Sequence, residues 1–228
     1  MARLIQNLCE KYTSRGVLNA LRQLHDELRI HKLHRASVKR AVRLSSTTKH
    51  RLNLACGPNR KEGWVNIDLT AGVDLQLDLR ERFPFPDESV EVIYGEHFFE
   101  HLKYPSEVLS FLRECYRVLV PGGPFSVSVP DAESLLIAYA NRNEQLFKLI
   151  RQMHWHPDWC DTAMHHVNYL FRQGDEHKYA YDCETLALIL VHAGFVDVRR
   201  RDFDPSLDSE SRRESLFIKA RKPDHPAA

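Results

Sequence analysis

Three histidines are placed where they could take part in acid–base chemistry. His97 and His101 follow a predicted strand, and His177 lies much later in the chain. A neutral imidazole, with an ordinary pKa of about 6.5, can take a proton from a hydroxyl group near neutral pH. His97, His101 and His177 are therefore candidate general bases, with a packing or hydrogen-bonding role as the alternative for each. Glu100 is expected to orient His101 or to cap a helix rather than to react.

A loop of small residues and two aspartates follow the first three predicted strands. The loop comprises Ala55, Cys56, Gly57, Pro58 and Asn59. Small side chains let the backbone approach a ligand, and glycine adopts angles that other residues avoid. Asp68 could accept hydrogen bonds from a ribose diol, and Asp78 with Leu79 could hold an adenine amine. A turn-forming role is the alternative for both aspartates.

Residues 154–166 contain side chains of the kinds that bind zinc. They are His154, His156, Cys160, His165 and His166. Their spacing matches no zinc signature, so no metal site is predicted. The neighbouring Trp155, Trp159 and Tyr169 could equally form a lid or the wall of an acceptor pocket.

Strands and helices must alternate to position these residues. Strands are predicted at residues 51–55, 64–68, 74–77, 89–94, 124–129, 196–202 and 215–221. Helices are predicted at 4–44 with a break near Gly16, at 105–119, within 131–175 and at 183–193. This alternation predicts an α/β fold with a doubly wound, mainly parallel, seven-stranded sheet. Ligands bind such sheets at the carboxyl ends of the strands.

Two connections in this sheet are too short to hold a helix. Seven residues separate Gly57 from Val65, and six separate Asp68 from Leu75, whereas a parallel crossover with its helix needs about 10–12. We therefore expect the first two crossover helices to be missing. An apolar stripe between Val17 and Leu28 in the N-terminal helices is expected to cover part of the exposed sheet face.

Composition is that of an ordinary globular protein, with 43% hydrophobic and 28% charged residues. No apolar run reaches the roughly 20 residues of a membrane span, and no signal peptide is recognised at the start. The five cysteines form no CxxC pair, which favours reduced thiols and a cytoplasmic location. Residues 1–50 hold eleven Lys/Arg against three Asp/Glu. Such a basic arm could contact nucleic acid, an anionic membrane or an acidic partner, or be a solvated helical face.

Five ordered segments resemble class I S-adenosylmethionine-dependent methyltransferases of the type 11 kind. These segments are residues 52–57, 63–68, 83–93, 96–102 and 114–123. Residues 177–182 and 193–195 resemble the C-terminal half of the same group more weakly. The resemblance implies a Rossmann-like domain over residues 49–222, with a helical acceptor-site insertion at about 131–182, after a helical extension over 1–48.

The resemblance also implies roles for individual residues toward the cofactor S-adenosylmethionine. The loop containing Ala55, Cys56, Gly57 and Asn59 would hold its methionine part. Asp68 and Leu69 would bind the ribose, Asp78 and Leu79 the adenine, and Glu96 with His97 would line the sulfonium side. The chain departs from the family's GxGxG loop, since Ala55 and Asn59 stand where two of the glycines are usual. That departure also argues against a dinucleotide site.

The function expected from these observations is methyl transfer to a small-molecule or sugar-like acceptor, at oxygen. One alternative is a non-catalytic partner protein that binds the same cofactor. Another is a nucleic-acid methyltransferase that uses the basic arm, although no recognised nucleic-acid-binding module is present. A homo-oligomer or a partner protein could be contacted through the N-terminal helices.

Overall fold

The computed structural model describes residues 14–41 and 49–225. Its helices are α1 (Arg15–Ala41), α2 (Ser106–Val118), α3 (Ala132–Ala140), α4 (Glu144–Gln152), α5 (Ala163–Arg172) and α6 (Cys183–His192). Its strands are β1 (His50–Leu54), β2 (Val65–Ile67), β3 (Val90–Glu96), β4 (Pro124–Val129), β5 (Val196–Arg200) and β6 (Leu216–Arg221). Short 3-10 helices lie at Phe99–His101, Gln173–Asp175 and Glu210–Arg212. The helix predicted before Gly16 lies outside the described residues.

The strands form one mixed sheet in the order β2-β1-β3-β4-β6-β5. Strands β1 to β4 are parallel, and β6 runs antiparallel to both of its neighbours. This confirms the predicted α/β class and the mainly parallel sheet. After β1 the chain moves outward to β2 and then returns to the other side of β1 with β3. The crevice at such a reversal of strand order is the usual ligand site of an open α/β sheet.

The described residues form six strands, not the seven predicted. The segment predicted as the third strand pairs only through an isolated bridge between Ile67 and Leu75. Its outward backbone N–H groups bond to side chains of α1 instead of a strand: Gln76 N–H donates to Ser37 Oγ (2.9 Å) and Asp78 N–H to His34 Nδ1 (3.2 Å). The helix therefore replaces the edge partner that would extend a ladder.

The prediction that the Val17–Leu28 stripe covers the sheet is wrong for the described residues. Val17, Leu21, Leu24 and Leu28 are 47–56% exposed. The buried part of α1 is instead its C-terminal end, where Ser37 and Ala41 are fully buried. The periodicity of the stripe was a correct signal of a helix, but a helical stripe does not specify which part of the helix touches the sheet.

Helix α2 holds the segment that follows β3 in place. Its side chains at 108, 111, 112, 115 and 118 are buried, at the spacing of one helical face. The Phe111 ring contacts the rings of Phe98 and Phe99, each with centroids 5.3 Å apart. Aromatic contacts of this geometry add to the stabilisation that burial provides. The 3-10 helix that carries Glu100 and His101 is thereby fixed to the core.

Helices α3, α4 and α5 occupy the predicted helical insertion and have a separate small core. Its buried members are Leu135, Ala138, Phe147 and Ile150. The four cysteines of the described ranges are unpaired thiols, and Cys9 lies outside those ranges. Over the same ranges, no helix is both long enough and apolar enough to cross a membrane.

Candidate active site

A cavity of about 450 Å³ lies at the carboxyl ends of the parallel strands. The predicted site residues that line it are Ala55, Asp68, Leu69, Asp78, Leu79 and His101. Those that do not line it are Cys56, Gly57, Asn59, Glu96, His97 and His177. Residues from α1, among them Gln23, Glu27 and Ile30, form part of its wall. The structure thus brings together the two strand-end aspartates and one of the three histidines.

Asp68 joins the loop after β1 to the end of β2. Its Oδ2 accepts a hydrogen bond from the Gly57 backbone N–H (2.9 Å), and its Oδ1 accepts from Thr70 N–H (2.8 Å). Ala55 and Gly57 both have left-handed backbone angles, with φ of 49°. A non-glycine residue in this region is strained, and such residues cluster at functional sites. The Cys56 thiol is kept protonated, because burial raises its pKa to about 11.

A buried asparagine network, which the sequence reasoning missed, supports this loop. Asn53 and Asn66 face each other in the β1–β2 register, and Asn53 Nδ2 donates to Asn66 Oδ1 (2.9 Å) and to Asn59 O (2.9 Å). Asn66 Oδ1 also accepts from Lys61 N–H (2.7 Å), and Asp74 Oδ2 accepts from Asn66 N–H (2.7 Å). An asparagine in the middle of each of two short apolar strands was the available signal.

Asp78 is tied to Arg80 and, through it, to α1. The Asp78 carboxylate accepts hydrogen bonds from Arg80 Nε (2.9 Å) and Nη2 (2.8 Å), and Arg80 also forms a paired contact with Glu27 (3.0 and 2.7 Å). Burial acts to raise the pKa of Asp78, but the hydrogen bonds and charge of Arg80 outweigh it and lower the pKa. Asp78 is therefore a carboxylate at neutral pH.

Glu96, predicted to line the sulfonium side, is bonded to the loop between β5 and β6. Its Oε1 accepts from Ser209 N–H (3.0 Å) and its Oε2 from Ser209 Oγ (2.5 Å). Ser209 Oγ also accepts from Asn59 Nδ2 (2.7 Å). Residues 204–215 therefore contact the ends of the strands, although they are far away in the sequence. No local motif predicted this contact.

A buried ion pair anchors that loop. The Asp208 carboxylate is fully buried and accepts two hydrogen bonds from Arg201 (2.6 Å each). It also accepts from Tyr94 Oη (3.0 Å) and from Asp204 N–H (2.7 Å). Every oxygen of this carboxylate is satisfied, as a buried charge requires.

His97 and Glu100 lie together beneath the cavity. His97 has a left-handed backbone (φ 53°), its Nε2 lies 2.7 Å from Ser215 Oγ, and its Nδ1 lies 3.5 Å from Glu100 Oε1. Burial lowers the pKa of His97 well below its ordinary value. Glu100 is 2% exposed, and neither carboxylate oxygen has a hydrogen-bond partner among the described residues. Glu100 therefore does not cap a helix, contrary to one of our expectations.

His101 and His177 pack edge to face, with ring centroids 5.0 Å apart. His177 Nδ1 lies 2.5 Å from the Leu170 carbonyl oxygen, so this nitrogen carries the proton that it donates. Burial lowers the pKa of both histidines, which keeps the imidazoles neutral at pH 7. The segment that carries His177 is held against the 3-10 helix, because the Lys178 and Tyr179 N–H groups both donate to the Glu100 carbonyl oxygen (2.6 and 3.3 Å).

Three side chains of the 154–166 segment also converge, away from the cavity. One donor atom each of His156, Cys160 and His166 lies within 4.8 Å of the others. His156 Nδ1 and His166 Nδ1 are 3.0 Å apart. Burial and the nearby His166 lower the pKa of His156 to about 4. The other two histidines of the segment, His154 and His165, are not part of this group.

One region of the chain matches a family of known proteins. A family model described as a methyltransferase domain matches residues 47–127. A probable S-adenosylmethionine-dependent methyltransferase from Mycolicibacterium smegmatis is 41% identical over 59 residues, which are 26% of this chain. The alignment spans only 22% of that relative's length.

Solved structures with a related shape include two S-adenosylmethionine-dependent methyltransferases. The one from Archaeoglobus fulgidus has a TM-score of 0.47 and 17% identity, covering 96% of this chain and 99% of that chain. The one from Methanosarcina mazei has a TM-score of 0.47 and 13% identity, covering 81% of this chain and 98% of that chain. Residues 47–127 are therefore similar to a methyltransferase domain, and a stretch of 59 residues is similar to a probable S-adenosylmethionine-dependent methyltransferase.

Proposed function

We propose that this chain transfers a methyl group from S-adenosylmethionine to an oxygen atom of a small-molecule or sugar-like acceptor. The observation that carries the proposal is the cavity itself. Two strand-end carboxylates, Asp68 and Asp78, lie on its wall together with a neutral imidazole, His101. These are the groups needed to hold a nucleoside and to receive an acceptor hydroxyl.

The residues on the cofactor side fit S-adenosylmethionine. The cavity has the size of a small-molecule site. Each Asp68 oxygen accepts one backbone hydrogen bond, so it retains a lone pair for a ribose hydroxyl. Leu69 and Leu79 offer apolar surface on either side of these carboxylates. The N–H groups of Cys56, Gly57 and Asn59 already donate to groups of the protein, so the amino-acid end is assigned to the surface at Ala55, which lines the cavity.

The adenine role of Asp78 is shared with Arg80. Because the Arg80 backbone N–H and Nε both donate to Asp78 Oδ1 and Nη2 donates to Oδ2, an adenine amine would use the lone pair left on Oδ2. The same Arg80 contacts Glu27, so helix α1 is linked to the nucleoside end of the cavity. We therefore expect cofactor binding to tighten the contact between α1 and the sheet.

When bound, S-adenosylmethionine supplies a methyl group on a positively charged sulfur, which an acceptor oxygen can attack in line. The protein's part is to align the two reactants and to keep water away. His101, Lys178 and Phe98 also line the cavity and are assigned to the acceptor. A neutral imidazole lone pair there can take the acceptor's proton or hold an ion that makes it more acidic.

The partner expectation rests on helix α1. Its stripe of half-exposed leucines and valine has no cover within the described residues. Such a surface is consistent with contact to a second copy or to another protein. Sedimentation of the chain with and without Leu21→Ser would test whether this stripe holds an oligomer together.

Binding and transfer can be tested separately. Calorimetry with S-adenosylhomocysteine reports cofactor binding without any acceptor. Transfer of a labelled methyl group into hydroxyl-bearing small molecules, with an amine panel and RNA as comparisons, then reports the acceptor class. Label appearing only on amines or RNA would reject the oxygen assignment and leave the cofactor assignment intact. Binding without label on any acceptor would favour the non-catalytic alternative.

A further inference from the structure

Glu100, His101 and His177 form a cluster, called here the Glu100 cluster, of which His101 lines the cavity. One donor atom of each lies within 4.8 Å of the other two. Both Glu100 carboxylate oxygens are buried and lack a hydrogen-bond partner among the described residues. Native proteins rarely leave a buried carboxylate without partners, because its desolvation is not repaid. A ligand that supplies the missing partner would explain the arrangement.

His177 is oriented as a metal-binding histidine usually is. His177 donates its Nδ1–H to the Leu170 carbonyl oxygen, which leaves a lone pair on Nε2. Histidines that bind metals commonly donate their second ring N–H to a backbone carbonyl, which fixes the ring and its tautomer.

No described cation pairs with the Glu100 carboxylate. Its nearest charged or titratable neighbour is His97, whose Nδ1 lies 3.5 Å from Oε1 and whose Nε2 faces Ser215 Oγ. Burial keeps His97 neutral. Arg212 is near enough to influence the pKa values of Glu100 and of the three histidines, yet it forms no ion pair or hydrogen bond with the Glu100 carboxyl group. A metal ion could therefore replace the Glu100 proton and supply the partner that its oxygens lack.

We propose that Glu100, His101 and His177 bind a divalent transition-metal ion, zinc in the first instance. Two imidazoles and one carboxylate are the protein ligands of many catalytic zinc sites, in which a further position stays open. His101 also lines the cavity, so the cluster lies beside the space that the proposed function assigns to the acceptor. The metal-binding proposal does not depend on the proposed function. The role of the metal in making an acceptor hydroxyl more acidic rests on the proposed function.

The geometry requires only a small adjustment. Zinc–ligand bonds of about 2.0–2.2 Å place ligand atoms about 3.4 Å apart in a tetrahedral site. The donor atoms of the cluster therefore need to approach by at most about 1.5 Å from their separation of up to 4.8 Å. His101 is only partly buried and has room for this rotation.

The His156–Cys160–His166 group is an internal rival, because it also brings three donor atoms within 4.8 Å. It differs in one detectable way, since it contains a thiol. Cobalt bound there would show a thiolate charge-transfer band, and cobalt bound at the Glu100 cluster would not. The two sites can therefore be told apart on the intact chain.

The test is the zinc content of the full chain after chelation, incubation with zinc and desalting. We expect Glu100→Gln and His177→Gln each to hold one equivalent less than the wild type. Cys160→Ser and the exposed-histidine control His192→Gln should lose nothing that depends on the Glu100 cluster. Zinc should also raise the melting temperature of the wild type more than that of Glu100→Gln.

Two outcomes would overturn the proposal. One is an equal zinc content in the wild type, Glu100→Gln and His177→Gln, whether all are loaded or all are empty. The other is loss of all bound zinc in Cys160→Ser. Folding of Glu100→Gln is checked by circular dichroism. Calorimetry with S-adenosylhomocysteine on the wild type fails only if the proposed function fails, so the two failures are distinguishable.

Discussion

Two carboxyl groups that line the cavity and a third that does not have opposite hydrogen-bond environments. Asp68 and Asp78, on the cavity wall, each receive hydrogen bonds on both oxygens from backbone N–H groups or from Arg80. Glu100, in the cluster with His101, is more deeply buried and receives none from the described residues. Carboxyl groups are thus fully hydrogen-bonded in one region and without hydrogen-bond partners in the other.

This difference has separate consequences for the stability of the fold and for ligand binding. Satisfied polar groups hold a fixed geometry and lose little when a ligand arrives. An unsatisfied buried group stores unfavourable free energy that a ligand can relieve. We therefore expect substitutions in the fully hydrogen-bonded regions to cost stability, and substitutions at Glu100 to weaken metal binding while stabilising the metal-free protein.

The largest stability loss is expected at the buried ion pair between Arg201 and Asp208. Arg201→Ala leaves the fully buried Asp208 without its bidentate partner. Removing one partner of a buried pair typically costs about 3–5 kcal/mol. Urea unfolding measures this loss. The matched control is Arg213→Ala, which breaks an exposed pair with Glu210 and should leave the midpoint nearly unchanged. Equal effects of the two variants would mean that burial of Asp208 does not matter.

A smaller loss is expected from the asparagine network. Asn66→Ala removes the acceptor of Asn53 Nδ2 and of Lys61 N–H. Leaving buried donors unsatisfied costs about 1–3 kcal/mol. The loop after β1 should loosen as well, which hydrogen exchange of the Asn59 region would report. Unchanged exchange in a destabilised variant would separate the network from the loop.

The contribution of Glu100 to the free energy of unfolding should depend on pH. Burial raises the pKa of Glu100 to about 8 in the metal-free protein, from 4.5 in the unfolded chain. The folded state therefore binds the extra proton between these values, and its contribution to stability is lost as pH rises through about 8. Glu100→Gln should become progressively more stable than the wild type over this window.

The neighbouring histidines act in the other direction. Their lowered pKa values favour the folded state at higher pH and destabilise it as pH falls below about 6.5. They are present in both proteins, so the difference between wild type and Glu100→Gln isolates the carboxylate. Urea unfolding with a chelator at several pH values measures it. A constant difference across the window would contradict the burial argument.

The smallest effect is expected on the outer stripe of α1. Leu24→Ser changes a side chain that is 56% exposed and should shift stability by less than about 0.5 kcal/mol. Ser37→Ala should cost about 1 kcal/mol, because Gln76 N–H loses its buried acceptor. If Leu24→Ser were the more damaging of the two, the stripe would have a partner after all.

Local patterns in the sequence predicted the parts of the fold that local forces determine. The helical face of α2, the strands β3 and β4 and the loop at Gly57 all lie where spacing and residue type placed them. The edge of the sheet was mispredicted because Ser37 and His34 satisfy it from a distant helix. The Glu96–Ser209 contact joins residues 113 apart, and no periodicity encodes such a pairing.

The isolation of Glu100 was likewise invisible in the sequence. Whether a carboxylate is paired depends on every group that folds around it, and those groups come from β3, from the 3-10 helix and from residues 177–181. The histidines could be recognised by type, since few side chains titrate near neutral pH. Their assembly around a carboxylate without a partner required the tertiary structure.

The central claim is that the strand-end carboxylates hold S-adenosylmethionine, and calorimetry with S-adenosylhomocysteine tests it most directly. We predict measurable binding by the wild type, at least about tenfold weaker binding by Asp68→Ala, and an intermediate loss in Asp68→Asn, which keeps one acceptor oxygen. Glu100→Gln should bind like the wild type. No binding by the wild type, or an unchanged affinity in a folded Asp68→Ala, would contradict the account.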